Sequence, residues 1–114
     1  MNTINKKFHY DELYDSLIIS NKEDNEIVKE NFMFDDFVIS MTGSGKIVGL
    51  EIRDISRFLE ESGINPEILN DINDANVIVT PKRDCVFIGL AIKSSKYNMV
   101  QRIPITHIPI PITN

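Results

Sequence analysis

Residues 37–59, FVISMTGSGKIVGLEIRDISRFL, carry three signals in succession. An alternation opens the stretch: Phe37, Ile39 and Met41 fall on one side of an extended chain, and Val38, Ser40 and Thr42 on the other. A second alternation puts Val48, Leu50 and Ile52 on one side and Ile47, Gly49, Glu51 and Arg53 on the other. Between them stands Gly43-Ser44-Gly45, and glycine supplies the positive φ that tight turns need. This grammar predicts a β-hairpin. The period then changes: Ile55, Phe58 and Leu59 share one face of a helix, with Asp54 placed as its N-cap. A hairpin running into a helix predicts an α+β fold with an antiparallel sheet.

Downstream, Gly63 reads as the residue that ends the helix. Asn65 then caps a restart, Pro66 takes its first position, and Glu67 suits the positive helix end. Ile68, Leu69 and Ile72 form its apolar side, so the expectation is one broken helix over about residues 54–73. Strands resume with ANVIVT (75–80), a PKRD turn, CVFIGLAIKS (85–94), an SKYN turn and MVQRIPI (99–105). Val86, Ile88, Leu90 and Ile92 lie opposite Cys85, Phe87, Gly89 and Ala91, so this strand is apolar on both faces. Such a strand is central in its sheet, or is covered by another molecule. Upstream, KKFHYD, DSLIISN and IVKENFMF are short strand candidates separated by the links DELY and KEDNE.

The two hairpins echo each other. VISMTGSGKIVGLEIRD, from Val38, aligns without gaps to IVTPKRDCVFIGLAIKS, from Ile78, matching Gly49 to Gly89, Leu50 to Leu90 and Ile52 to Ile92. Chance likeness of two hairpins and duplication both account for this.

The chain has 114 residues, 42% apolar and 25% charged, which is the balance of one globular domain. No apolar run approaches the roughly 20 residues of a membrane span. The start, MNTINKKFHYDE, lacks the apolar core of a signal peptide, and Cys85 is the lone cysteine, so a cytoplasmic protein is expected. Cys85 itself reads as a small core hydrophobe. The net charge of −5 is unevenly spread. Residues 1–36 hold nine acids against four bases, and residues 76–114 hold five bases against one acid, Asp84. Opposite-sign ends attract within a chain or between copies.

Residues 103–114, IPITHIPIPITN, place five isoleucines and three prolines together with no Asp, Glu, Lys or Arg. Proline cannot donate to a strand ladder, so this segment suits an edge strand or an extended arm, not a central strand. Its isoleucines call for burial. The expectation is a docking arm that folds over its own sheet or crosses to a neighbouring copy, with Phe87, Ile103, Ile105, Ile108, Ile110 and Ile112 as the interaction residues.

YDELYDSLIIS (10–20), the acidic link, the valine-bearing strand and GKIVGLEIRDISRFL (45–59) resemble the YuzE-like domain of unknown function, number 2283 in that series, over roughly residues 8–60. Tyr10, Asp11, Asp15, Gly49, Glu51, Ile52 and Asp54 stand at the matching places. The family's turn acids are replaced here by Ser40, Met41, Thr42 and Gly43, and the chain runs on some 45 residues further. The resemblance implies an antiparallel sheet with a helix, no established activity, and a hint of an antitoxin-like partnership with a small toxin. On this division, residues 1–62 are a YuzE-like half, 63–102 a second helix and hairpin, and 103–114 the arm, all within a single domain.

Little else points to chemistry. TGSGKI lacks the first glycine and the hydroxyl residue of a phosphate loop, and it sits between strands, so it reads as a turn. Asp11, Glu12 and Asp15 lie within five residues, with Asp11 and Asp15 the candidates for a divalent cation, which needs several converging oxygens; Asp35 and Asp36 are a further acidic pair. His9 and His107 have no cysteine companion, so zinc is unsupported. Lys82, Arg83, Lys93, Lys96 and Arg102 with Tyr97 are a thin case for nucleic acid on a chain of pI about 4.9. No nucleophile, base and acid form a set, and no cofactor is implied. The expectation is a non-enzymatic assembly or interaction module whose partner is itself or another small protein, with a metal-dependent binder using the N-terminal acids as the alternative.

Overall fold

The computed structural model describes residues 7–96 and 99–109. The chain forms an α+β fold of two antiparallel sheets. Strands β1 (Phe8–Asp11), β2 (Ser16–Ser20), β3 (Val28–Phe34), β4 (Phe37–Thr42) and β5 (Ile47–Arg53) make the first sheet, in the order β1-β2-β5-β4-β3. Helix α1 (Ile55–Glu61) and a 3-10 helix (Pro66–Asp71) follow. Strands β6 (Ile72–Pro81), β7 (Cys85–Ser94) and β8 (Met99–Pro109) make the second sheet, in that order. Among the described residues, no helix is long and apolar enough to cross a membrane.

The hairpin at Gly43–Lys46 forms as its sequence predicts. Gly45 has φ 88°, and the turn closes through Thr42 N–H to the Lys46 carbonyl at 2.9 Å. One detail differs. A β-bulge opposite Met41 shifts the register, so Ser40 pairs with Gly49 but Met41 pairs with Ile47. Ile47 therefore packs against the core, and Val48 is buried outside that cluster instead of joining Leu50 and Ile52.

The helix is broken where expected. Gly63 has φ 79°; its N–H donates to the Glu60 carbonyl, and Ile64 N–H donates to the Leu59 carbonyl at 2.8 Å. That pair of bonds is a Schellman ending, with Ile64 packed on the core beside Leu59. Asn65 Oδ1 accepts the Glu67 N–H at 3.0 Å ahead of Pro66. The second piece is a 3-10 helix, and β6 begins already at Ile72.

Each sheet turns one face to a shared core. Leu17, Ile19, Phe37, Ile39, Leu50 and Ile52 come from the first sheet, and Ala75, Val77, Ile88, Leu90 and Ile92 from the second. Ile55, Leu59, Ile68 and Leu69 close the space between them. The echoed Gly-Leu-x-Ile segments thus bury Leu50, Ile52, Leu90 and Ile92 in the same core. Fully burying each such side chain is worth roughly 1.5–3 kcal/mol.

Strand β7 is central, as its sequence predicts, but it is not closed on both sides. Its inward residues Ile88, Leu90, Ile92 and Ser94 are buried. Outward, Phe87 is 45% exposed and Cys85, Gly89 and Ala91 are half-buried. The first seven residues of the expected arm, 103–109, are not a separate arm. They continue β8, paired along β7 of the same chain from Ser94↔Met99 to Cys85↔Pro109. Pro104 sits at a register shift on this edge strand, where a missing N–H costs least. Residues 110–114 lie outside the described residues.

Candidate functional site

Tyr10, Asp11, Asp15 and Asp54 gather at one corner, where the loop between β1 and β2 meets the start of α1, while Gly49 and Glu51 lie along β5. Asp54 occupies the N-cap position with φ 56° but makes no side-chain capping bond, contrary to expectation. The left-handed backbone turns its carboxylate toward Arg57, at 3.2 Å. Asp15 caps the helix instead, from 41 residues away: Oδ2 accepts the Ser56 N–H at 3.1 Å, and Oδ1 accepts the Ser56 hydroxyl at 2.8 Å. Tyr10 donates its hydroxyl to the same Oδ1 at 2.8 Å. Burial, followed by that bond to Asp15, pushes the Tyr10 hydroxyl pKa above its ordinary value.

Asp11 Oδ1 accepts the N–H groups of Leu13 (3.1 Å) and Tyr14 (3.2 Å), which fixes the loop as an Asx turn. The two candidate cation ligands, Asp11 and Asp15, are thus engaged in holding a loop and a helix end. Among the described residues no group of three or more His, Cys, Asp or Glu is placed to hold a metal ion. Asp35 and Asp36 form the two-residue turn between β3 and β4, with Asp35 at φ 47°. Asp36 accepts from Arg57 at 3.1 Å beside the edge-on Phe37–Phe58 ring contact, 5.5 Å between centroids. An exposed ion pair is worth about 0–1 kcal/mol, so the apolar contact is the stronger tie here.

Among the described residues, three apolar surfaces lie outside the core. At the loop, Leu13 is 83% and Tyr14 73% exposed. On the outward face of the first sheet, Ile18, Val28, Met33 and Val38 wall an open groove of about 500 Å³ that also holds Ser40 and Gly49. Gly49 leaves its floor low; a Cβ there would lie 3.2 Å from Ser40 Cβ. On the second sheet, Phe87 stands exposed with Lys82 Nζ 5.8 Å from its ring centroid. Cys85 is half-buried, and burial pushes its thiol pKa up, which disfavours the reactive thiolate.

Of the expected interaction residues, Phe87 is accessible. Ile103, Ile105 and Ile108 have their backbone in β8, with their side chains outside the described set, and Ile110 and Ile112 lie outside the described residues. The sequence reading missed Leu13, Tyr14 and the groove. Leu-Tyr inside an acidic link was the available signal for the first. The groove had none, because it depends on which strands become neighbours. Compared with models of known protein families, with curated proteins and with solved structures, the chain matches none.

Proposed function

We propose that this protein is a non-enzymatic interaction module that works in the cytoplasm by assembling with copies of itself. One observation carries the reading: both sheets show apolar groups on the face turned away from the core. A half-solvated antiparallel sheet ordinarily alternates apolar inside with polar outside. Here Ile18, Val28 and Met33 are exposed on the first sheet and Phe87 on the second. Exposed apolar surface of this kind marks contact with another molecule. Against this, the acids first suspected of binding a cation have structural duties, which leaves the metal-dependent alternative without an observation in its favour.

The test is the solution mass of the full chain, by light scattering over a wide concentration range. The expected result is a multiple of 13.0 kDa that falls toward 13.0 kDa on dilution. A mass of one chain at every concentration rejects the proposal. Truncation at Arg102 is a poor test, because it removes most of β8 and leaves β7 unpaired along one edge.

A further inference from the structure

We infer that two copies of the chain join through the edge of the first sheet: strand β3 of one pairs antiparallel with β3 of the other about a two-fold axis at Phe32. This rests on the self-association proposed above and names the surface that makes it.

Among the described residues, β3 is hydrogen-bonded to β4 alone. Edge strands are usually kept short, or interrupted by proline, a charge or a bulge. Strand β1, at the other edge, has 4 residues, and β8 carries Pro104. On β3 the bulge falls between Val28 and Glu30, beside Lys29, and Glu30–Phe34 runs on in regular register. Apolar side chains cluster here: Ile27 and Met33 are each 65% exposed, and Phe32 is 40% exposed. The direction of the open backbone groups follows from the neighbours. Arg53 N–H donates to the Asp36 carbonyl, so the residues flanking Phe37 bond to β5 and Phe37 itself bonds to β3. Its partner there is Phe34. Bonding to β4 therefore falls on Phe34, Phe32 and Glu30, and the N–H and C=O groups of Asn31 and Met33 point to the open edge.

A second β3 satisfies these groups with no other element. With the axis at Phe32, Asn31 of each chain exchanges backbone bonds with Met33 of the other, and the two Phe32 residues face each other as a non-hydrogen-bonded pair, where side chains lie closest. The paired stretch is the regular one, clear of the bulge. Charge selects this register. It sets exposed Lys29 opposite exposed Asp35 in the partner's turn, twice over. Glu30 meets the backbone position of Phe34. The other acids nearby are occupied: Asp36 by Arg57 and Glu26 by Lys46. An axis at Glu30 would oppose two carboxylates, and an axis at Asn31 would set Lys29 opposite Met33. The exposed ion pairs orient the contact, and the backbone bonds and apolar side chains hold it. The same patch serves both copies, so the dimer is closed.

Cysteine scanning of the full chain tests the register. Glu30→Cys, Asn31→Cys and Phe32→Cys are each made in a Cys85→Ser chain, which removes the lone native thiol. Facing residues of a non-hydrogen-bonded pair have Cα atoms about 4.5 Å apart, inside the range a disulfide spans. Under oxidised glutathione, Phe32→Cys should give a covalent dimer, and Glu30→Cys and Asn31→Cys should not. Bridging at Glu30→Cys or Asn31→Cys instead overturns the register. If another part of the chain held this edge, no position would bridge; a dimer in sedimentation with no bridge overturns the contact and leaves self-association standing. Met33→Pro is the second probe. It deletes an N–H that points to the open edge and spares the bonds to β4. It should weaken dimerisation about 10-fold or more with the circular dichroism of the parent. A folded Met33→Pro chain that dimerises as the parent does overturns the contact. A parent chain that is monomeric throughout removes both proposals.

Discussion

Asp15 is the residue on which the corner between the β1–β2 loop and α1 turns. It holds φ 52°, a backbone region costly for most residues, and its carboxylate serves three donors. Asparagine tolerates that backbone and keeps one acceptor; alanine does neither. Asp15→Ala should therefore cost about 2 kcal/mol and Asp15→Asn about half of that, read from denaturant midpoints. Tyr10 gives a pH test. Its raised pKa means the folded state holds the phenol proton more tightly than the unfolded state. That contribution is complete below the ordinary value of 10.0 and is lost as pH climbs through the raised one. Tyr10→Phe should lower the melting temperature near neutrality, by the equivalent of about 0.5–1.5 kcal/mol for the lost hydrogen bond. It should also flatten the decline expected above about pH 10 in melts of the parent.

At the scale of elements, the local grammar was legible and the partnerships were not. Gly45, Gly63 and the Asn65-Pro66 pair sit where a positive φ or a cap is required, so turn and helix ends could be read from single residues. Alternation located β4 and β5, and an unbroken apolar run located β7, because facing and composition are local properties. It could not say that β2 would slot against β5, across the intervening β3 and β4, nor that the strands would divide into two sheets. Asp54 misled for the same reason: its competitor Asp15 lies far away in sequence. The bulge that displaced Val48 depends on the β4–β5 register, which no pattern within β5 records. Two substitutions probe this level. Gly49→Val should destabilise by about 1–3 kcal/mol, because its side chain would meet Ser40 on the neighbouring strand. Asp71→Ala should free the turn after β7, where the carboxylate accepts from the hydroxyls of Ser94 and Ser95 and from the Lys96 N–H. The expected sign is faster amide exchange across β7 and β8 with little change in the first sheet.

For the molecule as a whole, one apolar cluster spans both sheets, so the two sheets should melt together. Leu17→Ala in β2 and Leu90→Ala in β7 each remove a fully buried side chain. Each should lower a single shared transition by about 2–5 kcal/mol, followed by circular dichroism and by calorimetry; two separate transitions would contradict a common core. Charge acts at this scale too. The acidic first third and basic last third should give the proposed self-association a salt dependence, weakening it as ionic strength rises.

Strand β8 pairs with β7 but follows it in the chain, and that order has a consequence for folding. Until β8 docks, one side of the β7 ladder stands vacant. A second copy folding nearby can fill that vacancy with its own β8. Refolding at high protein concentration should therefore yield a larger fraction of interlocked, slowly exchanging species than refolding at low concentration.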